Sequence, residues 1–286
     1  MGSERMPSRP LTVKQRRLAA ELLTLRGRIT REKVVEDTGI SEGALLKMEK
    51  GRTRPQRRTL ITLLDYYGAT PEKRVELLDL WQHSTRSSDL QPIEESLPEN
   101  YQALIALEAE AVSLGTFEGL FVPGLLQTEE YAHAVIRSQL PEMDDAGISA
   151  RVEARMHRRD ALNRSNAVRY WAILDEAVIR RTVGGEDVMR GQLAHLAELG
   201  KAGNTITIQI IPFSAGAHGG MIGSFLLLEF DAPYVPVVYL ENFSGGLFVE
   251  AAEEVARYRD NFQRLVAQAL SPQATLHMIE EAVTAA

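Results

Sequence analysis

The sequence predicts a small all-α domain at the N-terminus, followed by a larger α+β domain with a small sheet, mostly antiparallel or mixed. Three observations carry this expectation. Short apolar stripes at helical spacing, punctuated by glycines, fill residues 11–84. A polar, proline-bounded stretch follows from Ser84 to Pro98. Beyond it, helical periodicity is interrupted by strand-like runs, clearest at Thr205-Ile206-Thr207-Ile208-Gln209-Ile210, where the isoleucines share one face. The boundaries read as 1–84, a linker at 85–98, and 99–286.

About five helices account for the first domain. Leu18, Leu22 and Leu25 fall at i, i+4 and i+7 on a first helix that Gly27 ends. Thr30 precedes a second, barely two turns long, closed by Gly39. Ser41 caps a third that runs to Lys50, with Leu45 and Met48 facing inward and Gly51 as its stop. A fourth follows Pro55 with Leu60, Leu63, Leu64 and Tyr67, and Thr70-Pro71 open a fifth that reaches Trp81. In the second domain, helices are expected at 99–114, 128–140, 149–163, 186–200, 251–270 and 272–283. Val168–Leu174, Phe225–Phe230 and Val237–Leu240 join 205–210 as strands.

Bulk properties narrow the function. The chain has 286 residues, 44% of them apolar, enough for two domains with real cores. It has no apolar run of membrane-spanning length, no secretory signal at its start and no cysteine, so a cytoplasmic protein without membrane contact is expected. The net charge of −7 argues against nucleic acid until it is divided. Residues 1–88 hold 18 Lys and Arg against 11 Asp and Glu, a net of +7; the remainder, with 14 against 28, carries −14. A basic reader fused to an acidic body fits that asymmetry, though solvated charge can also segregate by chance.

The second and third helices, joined by Gly39-Ile40-Ser41, have the length and turn of a helix-turn-helix: glycine supplies the positive φ, and the start of the third helix stays free for a major groove. Helix pairs of this kind also occur in all-α domains that bind no DNA. Here the sequence resembles the Cro/CI-type (XRE) repressor family through Thr38-Gly39-Ile40-Ser41, Leu45, Met48-Glu49-Lys50-Gly51, Arg54-Pro55 and Tyr66-Tyr67-Gly68. The resemblance implies double-stranded DNA as partner and a homodimer. Glu42, Gly43, Ala44 and Lys47 would then face the bases, Arg31, Lys50, Arg52 and Arg54 the phosphates, and Ser41 would also lie at the DNA. Lys47 suits guanine O6/N7 and Glu42 cytosine N4. Gly43 and Ala44 offer little hydrogen bonding, so DNA shape would share in specificity.

Residues 115–283 resemble the companion domain of unknown function that follows such helix-turn-helices in actinobacterial regulators, WhiJ-like proteins among them. The matching stretches include Val122-Pro123-Gly124-Leu125-Leu126-Gln127-Thr128, Asp175-Glu176 with Arg180-Arg181, Ile211-Pro212-Phe213, Gly216-Ala217-His218 and Val238-Tyr239-Leu240-Glu241. The resemblance implies a regulator that often binds a small neighbouring protein.

The residues themselves leave the second domain's chemistry open. Glu176 and Arg180 share a helical face, so Arg180 or Arg181 can hold an anionic effector or simply form a surface ion pair. His218, in a glycine-rich loop expected to be flexible, either lines a pocket or is a solvated turn residue. Glu241 ends an apolar strand and is a possible effector contact. The six histidines lack metal-ligand spacing, and no nucleophile elbow, P-loop or dinucleotide fingerprint occurs, so no metal, cofactor or enzymatic activity is expected. The expected function is a DNA-binding transcription regulator whose second domain receives a small-molecule effector or a small acidic or basic partner protein. The rival readings are an antitoxin-like interaction protein and, further off, an enzymatic second domain.

Overall fold

The computed structural model describes residues 13–51, 53–82, 97–159, 162, 168–203, 205–232, 234–242 and 245–285. Arg52 and most of the linker read at 85–98 lie outside them. The chain divides into two compact units, residues 1–107 and 108–286.

The first unit holds α1 (Val13–Arg26), α2 (Arg31–Thr38), α3 (Glu42–Glu49), α4 (Arg57–Tyr66) and α5 (Pro71–Gln82). Their boundaries follow local chemistry. The Thr30 and Ser41 hydroxyls accept the Lys33 and Ala44 backbone N–H groups, capping α2 and α3. Gly39, at φ +70°, turns the chain between them in the left-handed region. One core gathers Leu18, Leu22, Val34, Leu45, Met48, Leu60, Leu63, Leu64, Leu77 and Leu80 from all five helices. The predicted helical domain with its helix-turn-helix is present.

Helix α6 (Glu99–Glu110) carries the boundary between the units. The second unit then runs β1 (Ser113–Glu118), α7 (Glu129–Gln139), α8 (Asp145–Arg158), β2 (Arg169–Asp175), α9 (Glu176–Arg180), α10 (Glu186–Ala202), β3 (Ile206–Ile211), β4 (Phe225–Glu229), β5 (Val237–Asn242), β6 (Gly245–Val249), α11 (Ala252–Gln268) and α12 (Pro272–Ala285). The helix expected over 99–114 therefore stops at Glu110, because the following residues enter the sheet.

The six strands form one mixed sheet in the order β3-β2-β1-β4-β5-β6. β1, β2 and β3 are parallel, joined by helical crossovers, and β4 to β6 add antiparallel. α11 covers one face, bringing Val255, Phe262 and Leu265 against Phe117, Ile173, Phe225, Leu227 and Val238. Gly115 sits mid-strand under the Phe262 ring, which a Cβ there would meet at 3.0 Å. The outer edge of β3 is closed by the chain itself: Ile210 N–H donates to Thr275 Oγ1, and Ile210 O accepts Leu270 N–H.

Candidate nucleic-acid interface and strand-end cluster

In α3 the inward side chains Leu45, Met48 and Glu49 are buried, while Ser41, Glu42, Gly43 and Ala44 in and before its first turn, Lys47 one turn on, and Lys50 just beyond are exposed. The burial of Glu49 needs an explanation, because its side chain is only 2% exposed. Its two oxygens are taken by arginines from two other helices: Arg26 Nε, at the end of α1, donates to Oε1, and Arg31 Nε, at the start of α2, donates to Oε2 at 2.7 Å. The Glu49 bond and charge hold the Arg31 guanidinium pKa above its ordinary value. Arg31, expected to face phosphate, is thus first a brace for α3.

Arg54 is folded back as well. Its guanidinium lies 3.9 Å over the Trp81 ring and donates to Trp81 O at 2.7 Å, while Trp81 Nε1 donates to Pro55 O at 2.7 Å. Burial draws its pKa down. These contacts fasten the segment after α3 to the end of α5. Exposed cations that the sequence reading passed over stand at the start of α4, Arg57 and Arg58, and between α1 and α2, Arg28. Counting basic residues could have flagged them; only the fold shows which ones are unburied.

In the second unit, the carboxyl end of β2 gathers three of the predicted effector residues. Glu176 is buried; its Oε1 accepts Arg180 Nε at 3.1 Å and its Oε2 accepts Phe213 N–H at 2.8 Å, so it holds the segment after β3 as well as its helical neighbour. His218 is neither solvated nor in a loose loop. Its side chain is 4% exposed, with Nε2 3.2 Å from Asp175 Oδ2, and Nδ1 accepts Gly220 N–H at 3.2 Å. That acceptance places the proton on Nε2, which then donates to Asp175, and both nitrogens are occupied. The loop is pinned because Gly219 and Gly220 pass so close to Asn261 and the Phe117 ring that a Cβ at either would collide. Arg181 is exposed.

Glu241 lies elsewhere, on β5. The sheet register aligns it with two residues the sequence reading missed. Phe117 pairs with Phe225 and Leu226 with Tyr239, so continuing both registers brings Glu118, Ser224 and Glu241 into a row across β1, β4 and β5. The Ser224 hydroxyl accepts Gly119 N–H and bonds the Glu118 carboxyl. Burial pushes that carboxyl up to about 7; the Ser224 bond opposes the rise, the Glu241 charge adds to it, and Arg155 counters weakly. Among the described residues no group of His, Cys, Asp or Glu is arranged to hold a metal ion.

With this geometry in view, the comparisons with known families are specific. Residues 12–77 match a helix-turn-helix domain, and residues 101–281 match the family described as domain of unknown function (DUF5753). The chain belongs to the DUF5753 family. Its DUF5753 region contains the whole mixed sheet, including the buried His218–Asp175 pair and the Glu118–Ser224–Glu241 row. No curated protein and no solved structure matches the chain. The helix-turn-helix domain points to a DNA-binding regulator, the larger domain is of a family whose function is unknown, and no described helix is long and apolar enough to cross a membrane.

Proposed function

We propose that this chain is a sequence-specific transcription regulator that reads double-stranded DNA as a homodimer through α3, and that its DUF5753 domain receives the controlling signal. The observation that carries the reading is the exposed N-terminal end of α3, Ser41, Glu42, Gly43, Ala44 and Lys47, on a helix whose buried side is fixed by Glu49, within a segment of net charge +7. Lys47 and Glu42 discriminate bases in this account. Phosphate contacts come from Lys50, Arg57 and Arg58, with Arg52 as a further expectation and Arg31 contributing only its outward edge. Arg54 is occupied by Trp81 and acts as a structural fastener.

Three phosphate contacts per protomer make six in a dimer, which gives a log–log salt slope of about −5. Chromatin pull-down followed by sequencing, then a salt titration on an enriched site, tests the proposal. Enrichment at discrete palindromic sites and a slope near that value are expected. Absence of discrete sites would favour partner capture as the main role, and a flat titration would refute the electrostatic account.

A further inference from the structure

Between β4, β5, α11 and the turn Gly219–Ile222 lies a pocket of about 450 Å³. That volume falls within the range of small-ligand sites. Most of its wall is apolar, with Ser224, Asn242 and Asn261 among the polar residues: Phe225 and Leu240 come from the sheet, and Tyr258 from the helix, with the Phe225 and Tyr258 rings 5.2 Å apart. Ile222 stands at its edge, 95% exposed, an isoleucine that gains nothing from folding. The turn that presents it is held from below, since Asn261 Nδ2 donates to Gly219 O and the Gly219 backbone packs against the Asn261 side chain.

Two charged residues line the space, Glu241 and Arg257. Alternation along β5 separates them. Val238 packs with the cluster under α11, so Leu240 shares that face and Glu241 belongs to the opposite one, where its charge is felt by Glu118. Arg257 rises from α11 itself. Its neighbour one half-turn on, Arg259, is taken up by both oxygens of Glu229, whereas Arg257 has no hydrogen-bond or ion-pair partner among the described residues. A guanidinium is built to grip a carboxylate with two parallel N–H donors.

We infer that this pocket binds a small amphiphilic acid, with its aliphatic or aromatic body against Phe225, Leu240, Tyr258 and Ile222 and its carboxylate on Arg257. The inference names a ligand class for the signal-receiving role proposed above and rests on that reading only for its regulatory consequence.

Calorimetric titration of the full chain, without DNA, uses octanoate and 3-phenylpropionate as aliphatic and aromatic probes, each beside its neutral amide. Saturable binding of at least one acid is expected, about tenfold weaker for its amide and about tenfold weaker in Arg257→Gln, with partial recovery in Arg257→Lys. Ile222→Ser, at a site too exposed to disturb folding, is expected to weaken binding a few-fold. No saturation by either acid at millimolar concentration, or unchanged affinity in Arg257→Gln, overturns the inference. Neither result bears on DNA binding, which is measured separately.

Discussion

Glu118→Gln is expected to remove a pH dependence from the second unit. A carboxyl raised from 4.5 to about 7 binds its proton more tightly in the folded chain than in the unfolded one. Its contribution is therefore fully present below about pH 4.5 and is lost as the pH rises through 7. At about 1.4 kcal/mol per tenfold change in proton affinity, the loss amounts to about 3 kcal/mol by pH 8. Glutamine keeps a partner for the Ser224 hydroxyl and carries no charge, so the variant escapes the loss. Urea unfolding in a Trp81→Phe background leaves Trp171, which donates to Gln209 at 2.7 Å within the sheet, as reporter of this unit. The stability difference between variant and parent should be near zero at pH 4.5 and grow to about 3 kcal/mol at pH 8. Carboxylates that do not interact with Glu118 contribute alike in both proteins and cancel. A difference that stays constant across that range would show that the Glu118 carboxyl does not sit in the desolvated setting described.

Further outcomes follow for both units. Glu49→Ala strands two arginines that share its carboxylate, and should cost the first unit about 2–3 kcal/mol, read by Trp81 fluorescence in denaturant. Gly39→Ala meets no atom within 4 Å, so it should cost only the left-handed strain, about 1 kcal/mol. Gly220→Ala should cost more, about 3 kcal/mol, because the new Cβ would lie 2.3 Å from the Phe117 ring. Lys50→Ala should weaken all DNA sequences alike and lower the salt slope by about 1 per protomer. Lys47→Ala should instead relax discrimination at one base position by about 1–3 kcal/mol, measured by binding to single-position operator variants.

The helical unit was legible because its signals are local: glycine stops, hydroxyl caps and leucines at i, i+3 and i+4 each lie within one or two turns. β1 was hidden for the opposite reason. It is central and covered on both faces, so it shows no alternation, and its Leu114-Gly115-Thr116-Phe117 run follows directly on a helical pattern. β6 is short and begins with two glycines, residues that read as a turn. The family resemblance implied phosphate contacts for Arg31 and Arg54 beside Lys50, and neither it nor charge counting distinguishes a solvated cation from one held by its own fold. His218 looked mobile among its glycines, yet those glycines serve close packing rather than freedom. The Glu118–Ser224–Glu241 row joins residues more than a hundred positions apart through strand register, and no local pattern encodes that.

The shared carboxylate of Glu49 has a thermodynamic corollary. Because arginines from two helices converge on the inner side of the third, the tilt of that third helix is settled before any duplex arrives. Association then has little chain to order, and discrimination must arise from contacts and from bending of the DNA rather than from folding upon encounter. Operator binding by this unit should accordingly show a heat-capacity decrement no larger than the apolar area it covers, without the excess that accompanies coupled folding.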